Sequence, residues 1–134
     1  MVTIMYITRE ADYAIRIVAC LAGRGERVLA KSISDETGVS LRFSLKILSK
    51  LVSAGLVKSF KGTNGGYILA DKPSDITLRQ AIEAVDGTYG LNRCLREDHV
   101  CENSDSGCYF RDVFAEISEI VRLKLDEVTF DMAE

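Results

Sequence analysis

Two segments with helical spacing of apolar residues are joined by a very short turn near residue 38, and this arrangement constrains the fold most. The first of the two, Ala30 to Thr37, is followed by Gly38, a residue suited to the left-handed conformation after a helix. The second begins after Ser40, a favoured N-cap residue. Two helices joined by a turn of about three or four residues that contains glycine predict a helix-turn-helix.

A further helix precedes this pair. Thr8 is its predicted N-cap, and Gly23 and Gly25 are its predicted stop signals. The last helix of the three is expected to end at Gly55 and to bury one stripe of apolar residues, namely Leu41, Leu45, Leu48 and Val52.

A β-hairpin is predicted directly after the third helix. Residues 56–60 and 67–69 have β character, and the pair Asn64-Gly65 between them is a strong hairpin signal. A basic hairpin that follows a helix-turn-helix is typical of a wing. Thr77 then begins a capping box for a fourth helix.

The C-terminal part of the chain has a different pattern. Residues 88–108 have no periodicity, and a long amphipathic helix follows, with apolar residues Phe110, Val113, Phe114, Ile117, Ile120, Val121, Leu125 and Val128. This stripe exceeds what one small domain can cover, so we expect a second copy of the chain to bury it. The predicted fold is mainly α with a small β-hairpin wing: a winged helix-turn-helix domain (1–87), a cysteine-rich loop (88–108), and a dimerisation helix with its tail (109–134).

Charge divides the chain into a basic and an acidic half. Residues 1–70 hold 10 Lys and Arg against 5 Asp and Glu, whereas residues 71–134 hold 7 against 15. The stretch 42–61 has five basic residues and no acidic one. A solvated charged face usually mixes both signs, so this stretch favours a polyanion such as nucleic acid as partner.

Three of the four cysteines, Cys94, Cys101 and Cys108, lie in the polar loop with six residues between neighbours. No apolar run is long enough to span a bilayer, and the N-terminus lacks the basic region of a secretory signal. We therefore expect a cytoplasmic protein, in which structural disulfides are rare. Three thiolates suit an iron–sulfur cluster or zinc. Three unrelated free thiols are the alternative, and Cys20 is expected to be a buried, inert thiol.

Several stretches, in this order along the chain, resemble signatures of the IscR and NsrR family of winged-helix regulators: residues 8–16, 54–59, 65–69 and 82–87. The resemblance covers about residues 5–130. It implies a homodimer that binds a near-palindromic promoter site and holds an iron–sulfur cluster of two or four irons. Such a cluster senses iron–sulfur status, redox poise or nitric oxide.

The resemblance also implies the cluster ligands. The three cysteines are Cys94, Cys101 and Cys108. IscR-like members have a histidine three residues after the last cysteine, but this chain has Arg111 there. NsrR-like members use a carboxylate early in the first helix of the partner chain, and Asp12 matches it. Asp12 in trans is the favoured fourth ligand, with His99 as the runner-up.

The DNA contacts implied for this chain fall on the third helix and the wing. The N-terminal part of a recognition helix faces base edges in the major groove, and Arg42 is the favoured base-reading residue. Lys61 at the wing tip is expected in the minor groove, and Lys50 and Lys58 on phosphates. The full set of expected DNA-binding residues is Ser40, Leu41, Arg42, Phe43, Lys46, Lys50, Lys58, Lys61, Gly62 and Asn64.

Alternative functions remain open. The same regulator with a thiol–disulfide switch or a zinc site in place of the cluster is one, and a small electron carrier with a basic docking surface is another. An enzyme is least expected, because the sequence has no nucleophile and base at catalytic spacing and only one histidine. In the favoured mechanism, loss or oxidation of the cluster frees residues 88–108 and changes the separation of the two recognition helices.

Overall fold

The computed structural model describes residues 7–92, 95 and 108–132. These residues form five α-helices and two strands, and the strands pair in one hairpin. A 3-10 turn, Pro73–Asp75, precedes the fourth helix. The order is α1 (Arg9–Arg24), α2 (Ala30–Thr37), α3 (Leu41–Ser53), β1 (Val57–Phe60), β2 (Gly66–Leu69), α4 (Leu78–Asp86) and α5 (Tyr109–Asp126). This confirms the mainly α fold with a small β wing. The division into three parts at residues 87 and 108 stays a prediction.

The helix boundaries follow the capping residues. The Thr8 side chain accepts a hydrogen bond from the backbone N–H of Ala11, and α1 ends at Gly25, which has φ 65°. Gly23 was also expected to stop this helix, but it lies inside the last turn of α1, where a glycine needs no unusual backbone angle. Gly38 ends α2 with φ 75°.

The core is built around α1, which packs against α2, α3, α4 and β2. Ile17, Val18 and Leu21 are buried on it beside Ile33 of α2 and Ile76. Burial of each such side chain contributes about 1.5–3 kcal/mol. The hydrophobic centre of the domain therefore depends on one face of one helix.

The predicted apolar stripe of α3 is wrong except at Leu48. Leu41 and Leu45 are each 44% exposed and Val52 is 37% exposed. The buried residues are Ser44, Ile47, Leu48 and Leu51. Apolar residues lie on more than one side of α3, so their spacing alone does not select the buried face. The polar Ser44 lies on the side that faces the core, where its hydroxyl donates to the Val39 carbonyl.

The hairpin is joined to the turn between α1 and α2. Its strands pair antiparallel from Val57 opposite Leu69 to Phe60 opposite Gly66. Val28 and Tyr67 exchange two backbone hydrogen bonds, each of 2.9 Å between N and O. Gly66 has φ 135°, and a Cβ there would lie 3.0 Å from the Val28 carbonyl oxygen. This close approach requires glycine.

The C-terminal segment folds back onto α4. The predicted capping box is confirmed, since the Thr77 side chain accepts from the Gln80 N–H and the Gln80 side chain accepts from the Thr77 N–H. Arg79 pairs with Glu83 on its own helix and with Asp126 on α5, at 3.1 and 2.7 Å. Phe130, just beyond α5, is buried in the core.

The apolar face of α5 is largely open in the single chain. Ser118 is the residue of this helix that is buried, whereas the large apolar residues Tyr109, Phe110, Ile117, Ile120 and Leu123 are exposed. Among the described residues, no helix is both long enough and apolar enough to cross a membrane. Several large apolar side chains on one helix are therefore left in water, and exposed apolar patches of this kind mark interaction sites.

We predict that Gly66→Ala lowers the free energy of unfolding by about 1–3 kcal/mol, because alanine must adopt a strained φ and push against the Val28 carbonyl. Chemical denaturation measures this change. Gly23→Ala is the matched control, since a Cβ at Gly23 meets nothing within 4 Å. The control should be more stable than the natural protein by up to about 1 kcal/mol. Equal effects of the two substitutions would contradict the prediction.

Candidate nucleic-acid interface

The turn between α2 and α3 is fixed by side-chain hydrogen bonds to one buried residue. The hydroxyls of Ser34 and Ser44 both donate to the Val39 carbonyl, and Val39 itself is 2% exposed. Ser40 caps α3 by accepting from the Phe43 N–H at 3.3 Å. These contacts set the direction in which α3 leaves the domain.

The outward face of α3 is polar and basic. At about 3.6 residues per turn, Arg42, Lys46 and Ser49 lie on the side opposite the buried Ile47 and Leu51. Arg42 and Lys46 are exposed, as are Leu41 and Phe43 beside them. The Phe43 ring contacts Tyr13 of α1, with centroids 6.0 Å apart. The structure therefore places the predicted helix residues together on one exposed surface.

The basic stretch is partly paired with an acid that is remote in sequence. Glu10, in the first turn of α1, accepts hydrogen bonds from the Nζ atoms of Lys46 and Lys50, each at 2.7 Å. These two bonds lower the pKa of Glu10 to about 2. The stretch 42–61 contains no acidic residue, but α1 brings a carboxylate to it in space from 36 to 40 residues away.

The wing is a short hairpin with a basic loop. Lys58 and Lys61 are exposed. The loop turns through Gly62, which has φ 94°, and the Gly65 N–H donates to the Gly62 carbonyl at 3.0 Å. This confirms a tight turn, while its predicted contact with DNA remains a prediction.

Arg27, from the turn before α2, holds this loop in place. Its guanidinium carbon lies 3.6 Å from the centroid of the Phe60 ring, and its Nη1 donates to the Asn64 carbonyl at 2.9 Å. Cation–π contact and a hydrogen bond therefore act on both ends of the wing loop. Sequence reasoning missed Arg27 and Glu10, because both act through contacts that no local pattern encodes.

The ends of the cysteine loop are attached to α5. Cys108 is the N-cap residue of α5 and is half-buried. At the other end, the Leu91 N–H donates to the Ser118 hydroxyl at 2.8 Å, and Arg122 donates to the Tyr89 carbonyl at 2.8 Å. Cys94, His99 and Cys101 lie outside the described residues, so their predicted convergence stays untested.

The carboxylate of Asp12 is 44% exposed and pairs with Arg16 at 2.9 Å. An exposed pair of this kind contributes little to stability, so the carboxylate is available to another partner. Within residues 7–92, 95 and 108–132, no group of three or more His, Cys, Asp or Glu side chains is arranged around a metal position. Two of the predicted ligands, Cys108 and Asp12, are among the described residues. A half-buried thiol and an accessible carboxylate are both chemically suited to bind iron.

Cys20 differs from the loop cysteines. Its thiol donates to Glu36 of α2 at 3.1 Å and is partly buried. Burial, together with the hydrogen bond to Glu36, raises the pKa of Cys20 to about 12. The thiol therefore stays protonated at neutral pH, which agrees with the expected inert role.

Comparison with known proteins identifies the family. Residues 7–133 match the sequence profile of Rrf2, described as an iron-dependent transcriptional regulator. The HTH-type transcriptional regulator IscR of Aliivibrio salmonicida is 33% identical over 130 residues, covering 93% of this chain and 74% of that protein.

Two solved structures share the fold. CymR, the global cysteine regulator of B. subtilis, superimposes with a TM-score of 0.75 at 27% identity, covering 96% of this chain and 95% of that one. IscR of T. potens gives 0.72 at 26% identity, covering 95% and 84%. The winged helix-turn-helix, the profile match over nearly the whole chain and these relatives agree, and the chain belongs to the Rrf2 family of transcriptional regulators.

Proposed function

We propose that this Rrf2-family regulator acts as a homodimer that binds promoter DNA and responds to redox state, nitric oxide or iron–sulfur status through a cluster on Cys94, Cys101 and Cys108. The observation that carries the DNA-binding part is the exposed surface formed by α3 and the wing. It presents Arg42, Lys58 and Lys61 on a helix and a loop that are held by hydrogen bonds from Ser44 and Arg27.

Each part of this surface has a different role in the proposal. Arg42 lies near the N-terminus of α3 and reads a base edge in the major groove, where its planar fork can make two hydrogen bonds. Lys61 enters the minor groove from the wing. Lys50 and Lys58 bind phosphates and fix the register, and Ser40, Leu41, Phe43, Lys46, Gly62 and Asn64 complete the contact surface.

The homodimer is proposed from the open apolar face of α5. Ile120 is 61% exposed and Phe110 is 65% exposed, and both are more costly in water than against a second copy of the helix. A two-fold axis along α5 would present two α3 helices to successive half-sites of DNA. By the resemblance to NsrR-like regulators, Asp12 of one chain would reach the cluster of the other.

The cluster is proposed from the donor chemistry of the loop and from the family. Thiolates of Cys94, Cys101 and Cys108 would hold it, with Asp12 of the partner chain as fourth ligand and His99 as the runner-up. A bound iron–sulfur cluster would supply the sensitivity to oxidants and nitric oxide. A thiol–disulfide switch or a zinc site on the same cysteines is the second candidate, since thiolates also form disulfides on oxidation and bind zinc.

A change in the cysteine loop would reach α3 through the contacts of α5, α4 and α1. Ser118 and Arg122 hold residues 89–91 against α5, and Glu83 of α4 accepts from the Tyr89 N–H at 3.3 Å. α4 in turn packs on α1, which packs on α3. A change in the loop would therefore shift α5, and with it the spacing of the two α3 helices.

The cluster is tested by the visible spectrum and by iron and sulfide assays on protein purified without oxygen. We expect charge-transfer absorption, with matched iron and sulfide, and loss of both in Cys94→Ser, Cys101→Ser and Cys108→Ser. Cys20→Ser is the control and should keep the spectrum, because that thiol is protonated and paired with Glu36. Colourless, iron-free natural protein would contradict the cluster and leave the thiol switch or zinc site.

The DNA contacts are tested on a duplex that the protein itself selects from a random library. We expect Arg42→Ala to weaken binding by about 1–3 kcal/mol and to relax the preference for one base pair. Lys58→Ala should weaken binding to selected and random duplexes equally, and it should reduce the slope of log affinity against log salt by about 1. Lys124→Ala, which removes a lysine that pairs with Glu127 on α5, is the control. An unchanged preference in Arg42→Ala would refute its role as a base reader.

The dimer is tested by substitution on α5. Ile120→Glu should weaken self-association at least tenfold, since a charge would be buried at the interface. Analytical ultracentrifugation measures the equilibrium. Leu29→Glu is the matched control, because Leu29 is also 61% exposed but lies in the turn before α2. Loss of association in both variants, or in neither, would argue against α5 as the interface.

A further inference from the structure

Glu10 bridges two lysines of the recognition helix. Its two carboxylate oxygens each accept a hydrogen bond from a different lysine of α3, Lys46 and Lys50, at 2.7 Å. The two lysines are four residues apart and therefore one turn apart along the same side of α3. A carboxylate that bridges two ammonium groups in this way uses the same donors that a phosphate would use.

The side chains of Glu10, Lys46 and Lys50 are partly exposed, so another anion can replace the carboxylate at the two lysines. The side chain of Glu10 is 30% exposed, that of Lys50 is 37% exposed and that of Lys46 is 51% exposed. None of them is inside the core, so the contact is not needed to compensate a buried charge. Solvent, and therefore DNA, can reach the lysines from the outward face of α3.

The charges around Glu10 favour its place in this contact. It lies in the first turn of α1, where the helix dipole stabilises an acidic side chain. Asp12, the other acid of that turn, is held by Arg16. Glu10 is thus the acid in the first turn of α1 that is directed to the recognition helix.

We propose that Glu10 is an intramolecular competitor for the phosphate-binding lysines of α3, and that it sets how strongly this regulator binds DNA of any sequence. This inference rests on the proposed DNA binding. Binding of a duplex exchanges the Glu10 carboxylate for phosphate oxygens at Lys46 and Lys50. Breaking the contact with Glu10 costs free energy on binding, and the freed carboxylate takes up a cation again, so the affinity and the net release of counterions are both smaller than they would be without Glu10.

The test compares the natural protein with Glu10→Gln on a fluorescein-labelled duplex of random sequence, across a series of salt concentrations. Glutamine keeps the shape of the side chain and removes its charge. We expect Glu10→Gln to bind about tenfold more tightly at low salt, and the slope of log affinity against log salt to steepen by at most about 0.9, because no freed carboxylate takes a cation back up. A merely structural role for Glu10 would not steepen this slope.

Two variants make the test specific. Glu127→Gln makes the same chemical change at an exposed glutamate paired with Lys124 on α5, and it should leave affinity and slope unchanged. In a protein that already carries Lys46→Gln and Lys50→Gln, Glu10→Gln should have no further effect. Thermal unfolding of each variant shows whether it is folded at the temperature of the binding assay.

The outcomes separate this inference from the proposed function. If the natural protein does not bind any duplex at low salt, the proposed function fails. If it binds but Glu10→Gln leaves the affinity and slope unchanged, or weakens binding, the competitor role is overturned. If Glu10→Gln still strengthens binding when both lysines are glutamine, Glu10 acts by repelling phosphates directly, which also overturns the exchange described here.

Discussion

The burial of one face of α1 is the constraint on which the rest of the structure depends. Ile17, Val18 and Leu21 pack against elements from both halves of the chain, so the recognition helix, the wing and α4 all take their positions from this helix. Its N-terminal turn carries three polar residues with separate partners. Thr8 donates to Asp86 at the end of α4, Glu10 binds α3, and Asp12 pairs with Arg16. A small movement of α1 would therefore change the positions of α3 and of the end of α4.

In the proposed mechanism, this arrangement connects the base of the cysteine loop with α3 through α5, α4 and α1. The loop is fixed at residues 89–91 to Ser118 and Arg122, and Arg79 connects α4 with Asp126 near the other end of α5. These are polar contacts of moderate strength on a helix whose apolar face is largely open. Such a helix can shift as a unit, because few packed side chains hold it to its own domain.

The sequence predicted most of the fold because its signals are local. Thr8, Gly38, Ser40 and the Thr77 capping box each act within four residues, and all were placed correctly. The buried face of α3 was not, because apolar residues lie on more than one side of it and tertiary packing selects between them. At the candidate site the exposed basic residues were found from composition, whereas their pairing with Glu10 depends on the crossing of α1 and α3, which no local pattern encodes.

The contact of Arg27 with the wing has a consequence for how this regulator can diverge. The guanidinium rests on the Phe60 ring and binds a backbone carbonyl, at Asn64, so it does not depend on the side chains at the tip of the loop. Residues 61 and 63 are therefore free to change identity while the loop keeps its course. In the proposed mode of binding, single substitutions at the tip would change the minor-groove preference in a lineage that carries this arginine, with little cost to folding.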